Sequence, residues 1–255
     1  MTNIFNTFLY EPLYNTLIYL IAIVPGHDVG AAIIVLTIAV KFLIFPLTHK
    51  QSTSQRKIKK IEPQAQEIRE KHKNDKQEQA RKIMELYREH GVNPFSGCLL
   101  MLIQMPIIIA LYWVFYKGGL SNGINTDILY PFVVAPDAIN MLFLNVFDLG
   151  GKSVVLALMA GVSQFFQMKL AMPAMQTPKV SSDGKMSFKD EFAKNMNTQF
   201  KYVLPGIVFF FAYSISAAVA LYWVTSNIFS IVHELVVKHK ADEIISNKEE
   251  NNDAR

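Results

Sequence analysis

Hydrophobic positions in this chain are gathered into blocks near the ~20 residues of a bilayer-spanning helix, with polar stretches between them. The clearest block is 29–47, mostly Ile, Val, Ala, Leu and Phe, interrupted by one charge at Lys41. At ~1.5 Å per residue it comes close to the ~30 Å of a hydrocarbon core. His49, Lys50, Arg56, Lys57, Lys59 and Lys60 follow it, with no acid before Glu62. An apolar block ending in a basic cluster predicts a transmembrane helix whose C-terminal end faces the cytoplasm. Two more spans are read at 96–117 and 153–172. The stretch 202–237 is too long for one span, since a single helix of that length would run ~54 Å. A hairpin turning within 214–218 divides it into spans at 202–214 and 218–237 and keeps Lys238, His239 and Lys240 inside, although that turn holds no Pro or Gly.

The connecting segments follow from charge. Residues 48–95 hold 12 of the 25 Lys and Arg and are rich in good helix formers. They predict a cytoplasmic helical hairpin, with Pro63 in a first helical turn and a turn at 73–75. Ala65 and Ile68 would lie on one narrow stripe and Ala80, Ile83, Met84 and Tyr87 on the other, with Gly91 as a C-terminal cap. So narrow a stripe predicts a hairpin that moves on the membrane unless something docks on it. Residues 118–151 contain no Lys or Arg and are placed outside, as surface helices and loops. Pro131, Pro136, Asp137, Asn140 and Asn145 argue against a further span there. Residues 173–201 carry five lysines and are cytoplasmic, and 238–255 reads as a disordered cytoplasmic tail. Residues 1–28 are placed outside. Glu11-Pro12 leaves about a dozen uninterrupted apolar residues, which favours an interfacial helix closed by Pro25-Gly26 over an extra span. The expected fold is all-α and polytopic: five spans with the N-terminus outside and the C-terminus inside.

Composition adds little beyond this. The chain has 255 residues, 51% of them hydrophobic, and a net charge of +4. Cys98 is the only cysteine, which excludes a disulfide framework and a cysteine-based zinc site. No basic residue precedes Lys41, so an ordinary signal-peptide n-region is missing and the first residues are read as mature protein. The six histidines show no metal-ligand spacing, and no hydrolase or nucleotide-binding motif is present, so no catalytic site, cofactor or metal is expected. Basic residues of the 48–95 loop alternate with seven acids, which suits anionic lipid headgroups or a nearby ribosome better than specific nucleic acid.

Polar residues inside the spans are the candidate chemistry. An ionisable group at a helix centre costs roughly 2.5–3.5 kcal/mol on insertion scales. Lys41 either snorkels to the inner headgroups or points into a hydrated cavity, and Thr37 one turn away extends its polar face. Gln104, Gln164 and Gln167 lie on two other spans, and Trp223, Thr225, Ser226 and Asn227 on the last. Each is read either as ordinary helix–helix packing and hydrogen bonding or as part of a shared hydrophilic groove.

Two blocks carry a family resemblance: VNPFSGCLLMLIQMP at 92–106 and ALYWVTSNIFSIV at 220–232. With the cation and terminal Pro of the first span and the basic helix after it, the chain resembles the YidC/Oxa/Alb family of membrane protein insertases over roughly residues 10–240. The resemblance implies five spans around a groove open to the cytoplasm and to lipid. It implies insertion of nascent membrane proteins, alone or beside the Sec translocon, in a bacterial inner or plasma membrane. The family's groove cation, usually Arg, falls on Lys41, its neighbouring Thr on Thr37, its Gln before Met-Pro on Gln104 and its last-span aromatic on Trp223; Gln164 or Gln167 completes the groove. The chain departs from the family pattern in Lys41, in the turn without Pro or Gly, in having no large external domain before the first span, and in a tail of mixed charge. That tail predicts only weak ribosome binding. A small anion channel or transporter, or a scaffold for other membrane proteins, is the rival reading.

Overall fold

The computed structural model describes residues 2–73, 75–93, 96–117, 120, 123–171 and 188–253. A short helix α1 (Thr2–Phe5) passes through a π-turn into α2 (Glu11–Ile23), whose second residue, Pro12, is suited to a first helical turn. Pro25-Gly26 ends it as expected, with Gly26 at φ +71° where a side chain would be strained. Asp28 then accepts a hydrogen bond from the Ala31 N–H at 2.9 Å and caps α3 (Val29–Leu43).

The first expected span does not run straight to residue 47. It breaks at Ile44, and α4 (Phe45–Lys71) leaves at 65° to α3. Pro46 explains the break, because it has no N–H to offer the Phe42 carbonyl and its ring crowds that carbonyl. Pro63, expected in a first turn, lies well inside α4, whose 27 residues run through it. One backbone bond is lost there, and packing of α4 on α5 (Lys76–Glu89) compensates. Ile61, Ala65, Leu86, Tyr87 and Val92 form that small core, with Ile58, Ile68 and Ile83 against it. Met84 and Ala80, expected on the same stripe, are exposed. Asp75 caps α5 by accepting from the Gln77 and Glu78 N–H groups, and Gly91 at φ +60° ends the helix, as the sequence suggested.

The remaining helices are α6 (Ser96–Tyr112), α7 (Val154–Ala171), α8 (Phe188–Ile215) and α9 (Ala217–Asp253). α7 packs against both α8 and α9, and α9 packs against α3. Gly161 allows a close approach of α7 to α8: a Cβ there would sit 3.1 Å from the Pro205 carbonyl oxygen and 3.2 Å from Phe209 Cβ. By length and composition α7 and the 217–238 part of α9 can cross a membrane, and the bent α3–α4 pair is a third candidate. The apolar helices at 104–115 and 202–215 are shorter. Helix α9 continues to Asp253, where a disordered tail was expected, and α8 begins at Phe188, inside the expected 173–201 loop. The rest of that loop, 172–187, lies outside the described residues.

Between α8 and α9 only Ser216 is non-helical. A turn this tight without Pro or Gly is made by capping from elsewhere. The Ala217 N–H donates to the Gly151 carbonyl at 2.9 Å and the Ala218 N–H to the Leu149 carbonyl at 3.2 Å, while Ser216 Oγ accepts from the Val219 N–H. The loop supplying those carbonyls, expected as surface helices and loops, has a short 3-10 helix (Thr126–Ile128) and also a two-stranded antiparallel ribbon, β1 (Leu142–Phe143) and β2 (Phe147–Asp148). Val29 N–H donates to the Asn140 carbonyl, and Asn140 N–H to the His27 carbonyl, so the ribbon sits on the start of α3.

The main apolar core gathers at this same end of the molecule. It joins Tyr14, Leu17, Ile18 and Ile21 of α2 to Val29, Ala32 and Ile33 of α3, to the start of α9, and to Leu120, Val133 and Leu149 of the loop. Residues 217–222 of α9 are all buried. The other half of the bundle is where α9 turns polar.

Candidate functional site

Helix α9 places Tyr222, Ser226, Ser230 and Glu234 at successive four-residue intervals, which puts them on one face. Three other helices aim a donor at that face. Gln104 of α6 donates through Nε2 to the Tyr222 phenol, which also has Ser226 as a hydrogen-bond partner. Lys41 of α3 donates through Nζ to Ser230 Oγ at 3.3 Å, and Ser230 in turn donates to the Ser226 carbonyl. Arg56 of α4 donates through Nη2 to Glu234 Oε1 at 2.9 Å and to the Glu234 backbone carbonyl at 2.8 Å. The result is a polar seam about three turns long.

Lys41 is its most costly member. The residue is 7% exposed, and among the described residues its ammonium meets one hydroxyl and no carboxylate. A charged lysine offers three donors, so two remain for water or for an anionic group. Further polar atoms lack protein partners close by in sequence: Gln51 Oε1, Gln55 Oε1 and Arg56 Nε are buried without one among the described residues. Buried polar atoms of this kind are ordinarily met by water.

The other expected residues are distributed unevenly. Thr37 is buried, but its hydroxyl donates to the Ile33 carbonyl of its own helix at 2.6 Å. Gln164 donates to Gln167 at 3.2 Å, and no hydrogen bond joins either to Lys41 among the described residues. Trp223 is half-buried against the main core. The α7–α9 contact is instead made by Asn227, whose Nδ2 donates to Ser163 Oγ at 3.0 Å and reaches the Ala160 carbonyl at 3.5 Å. Lys41 and Gln104, both expected to line a groove, lie on this seam, whereas sequence reasoning did not single out their acceptors, Tyr222 and Ser230, or the Arg56–Glu234 pair. The four-residue spacing of polar groups along 222–234 was the available signal.

Below the seam, the base of the hairpin is fastened to the bundle. Besides the Arg56–Glu234 pair, Lys59 donates to the Leu170 carbonyl at 3.2 Å at the end of α7. Burial pushes the Lys59 ammonium below its usual range, partly offset by Glu234. His49 and His233 face each other at 3.3 Å, with Phe45 packed against both rings. The narrow stripe that suggested a mobile hairpin says nothing of these polar fastenings.

A bundle of apolar helices enclosing a buried cation on a polar seam, with an amphipathic hairpin at its base, belongs to the class of polytopic α-helical membrane proteins. Within that class, the 60Kd inner membrane protein family matches residues 20–244, and the chain belongs to it. Proteins named membrane protein insertase YidC are similar over most of the chain. That of Wolinella succinogenes is 34% identical over 91% of this chain, which spans 37% of the relative's length. Those of Clostridium tetani and Fusobacterium nucleatum are each 31% identical, over 88% and 92% of this chain and over 88% and 98% of their own lengths. The chain is thus a bacterial membrane protein.

Proposed function

We propose that the protein is a membrane protein insertase in which the seam on α9 receives the polar part of a substrate while its apolar segment passes into lipid. The observation that carries this is Lys41, buried with a single hydroxyl partner among the described residues and donors to spare. Five spans are formed by α3, α6, α7, α8 and the first part of α9, with the N-terminus outside and the C-terminus in the cytoplasm. The apolar core then seals the outer half, and the seam opens toward the cytoplasm. The hydrogen bonds of Asn15 to the Ile128 carbonyl and the Tyr130 N–H tie α2 to the outer loop and support its lying across the outer face.

The physics needs no nucleotide. A hydrated groove in the inner half shortens the hydrocarbon distance that a polar tail must cross. Lys41, with Gln104 and Thr37 above it and Gln164, Gln167 and Trp223 on the flanking helices, pairs transiently with an acidic segment of the substrate. Burial of the substrate helix in lipid then drives release. Nascent membrane proteins are the substrates, and the hairpin is the first capture surface. Anionic lipids at its basic face, the Sec translocon and a weakly bound ribosome are the further partners.

The test is insertion of a single-span substrate with a short acidic N-terminal tail into liposomes holding the purified protein. Wild type inserts it without ATP and without solute leakage. Lys41→Ala lowers the yield several-fold and Lys41→Arg retains it. Solute flux without insertion would support an anion channel instead, and full insertion by Lys41→Ala would reduce Lys41 to a snorkelling residue.

A further inference from the structure

The ribbon of the external loop ends in apolar side chains that no described residue covers. Leu144 and Val146 at its tip are 65% and 70% exposed, and Phe132 and Val134 in the preceding segment 74% and 75%. The tip is a tight turn in which Val146 N–H donates to the Phe143 carbonyl at 3.1 Å, with Leu144 at φ +54° and Asn145 at φ +55°. Two successive positive φ values define the turn type that favours Asn, Asp or Gly at both central positions. Asn145 suits it and Leu144 does not. A leucine held in a left-handed conformation, with most of its surface outside the fold, is not explained by the protein's interior.

The position of the ribbon identifies its surroundings. Phe143 packs so closely on Gly30, the second residue of α3, that a Cβ there would lie 2.2 Å from the ring. The ribbon therefore sits beside the first turn of an apolar helix. Exposed apolar residues continue from that level along α3 at Val35 and Ile38, and at the start of α7 at Val154 and Val155. Charge excludes attraction to anionic headgroups, since 118–151 has no Lys or Arg and carries Asp127, Asp137 and Asp148. What remains is the uncharged boundary between headgroups and acyl chains.

We propose that the ribbon tip, Leu144 and Val146 with Phe132 and Val134, dips into the outer leaflet and pins the external loop to the bilayer as a charge-free anchor. This rests on the reading that this end of the bundle faces outward. The test uses the full chain in a Cys98→Ser background, with Val146→Cys carrying an environment-sensitive fluorophore, in phosphatidylcholine liposomes. Bromines placed about 5–10 Å below the headgroups should quench the label strongly and aqueous iodide weakly. Leu144→Asn, which suits the turn better and touches no core residue, should raise iodide quenching at position 146 roughly twofold as the tip loses its apolar hold. Quenching by iodide but not by bromolipid would overturn the proposal. So would protection from both, which would mean that a protein surface covers the tip, or indifference to Leu144→Asn. Insertion measured in the same vesicles separates the two readings: an unquenched tip with normal insertion refutes only the anchor, and a lipid-quenched tip without insertion refutes only the function.

Discussion

Replacing Arg56 by alanine should release the hairpin from the bundle, and the size of the effect can be worked from its contacts. One guanidinium nitrogen bonds both the carboxylate and the backbone carbonyl of Glu234, at 2.9 and 2.8 Å. The side chains are 19% and 12% exposed, so the ~0–1 kcal/mol of a surface pair is too little. The roughly 3–5 kcal/mol for removing one partner of a fully buried pair is an upper bound, because both groups keep some water. About 2–3 kcal/mol is therefore expected for Arg56→Ala, and about 1 kcal/mol for Glu234→Gln, which keeps an oxygen acceptor and the backbone carbonyl. Hydrogen exchange at the α4 amides reads this directly, since 2 kcal/mol corresponds to roughly 30-fold faster exchange through local opening. The double substitution should show coupling of about 1–2 kcal/mol. Unchanged protection in Arg56→Ala, an equal loss in the control Lys57→Ala, or strict additivity would refute the idea that this pair fastens the hairpin.

Three further outcomes are expected. Gly30→Ala forces the Phe143 ring to move, with its Cδ2, Cγ and Cβ all within 2.8 Å of the new atom, and should cost about 1–3 kcal/mol, seen as a lower unfolding temperature in detergent. Asn227→Ala removes the bond between α7 and α9 and leaves Ser163 only its donation to the Ala160 carbonyl, so unfolding in a mixed-micelle titration should shift by about 0.5–2 kcal/mol, and Ser163→Ala should add little on top. Glu78 is held below the ordinary carboxylate range by its hydrogen bond with Arg81, and Glu85 by its bond with Lys82. Their contribution is complete above the ordinary carboxylate range and is lost as pH falls through the depressed folded values. Protease resistance of the hairpin should accordingly fall on acidification below about pH 4.5, and high salt should shrink the difference.

Apolar block length and the helix-forming composition of the 48–95 segment located the apolar parts of the long helices, because those signals are local, but not the extension of α8 back to Phe188 or of α9 on to Asp253. Breaks were legible where a special residue makes them, as at Pro25-Gly26 and Gly91, and misplaced where the consequence depends on packing. Pro46 cut the first helix at Ile44, while Pro63 was absorbed by the hairpin core. The Ser216 turn could not be understood from 214–218 at all, since the carbonyls that cap α9 belong to Leu149 and Gly151. The ribbon was missed because two-residue strands give no periodicity to read. At the seam Arg56 was hidden in a basic segment, while Lys41 and Gln104 stood out as a charge and an amide in apolar runs. Their acceptors did not, because Tyr222 and Ser230 pass for ordinary helix residues until a partner from another helix is known.

The order in which the seam is assembled has a consequence for synthesis. Lys41, Arg56 and Gln104 leave the ribosome early, whereas Ser230, Glu234 and Tyr222 all lie on the final helix. A chain still being made carries each of these donors and none of these acceptors. Its lysine has no hydroxyl from α9 to hold it, its hairpin has no carboxylate to fasten to, and α6 has no phenol to face. The seam therefore closes only with the last helix, and its donors on α3, α4 and α6 wait for α9 to be made.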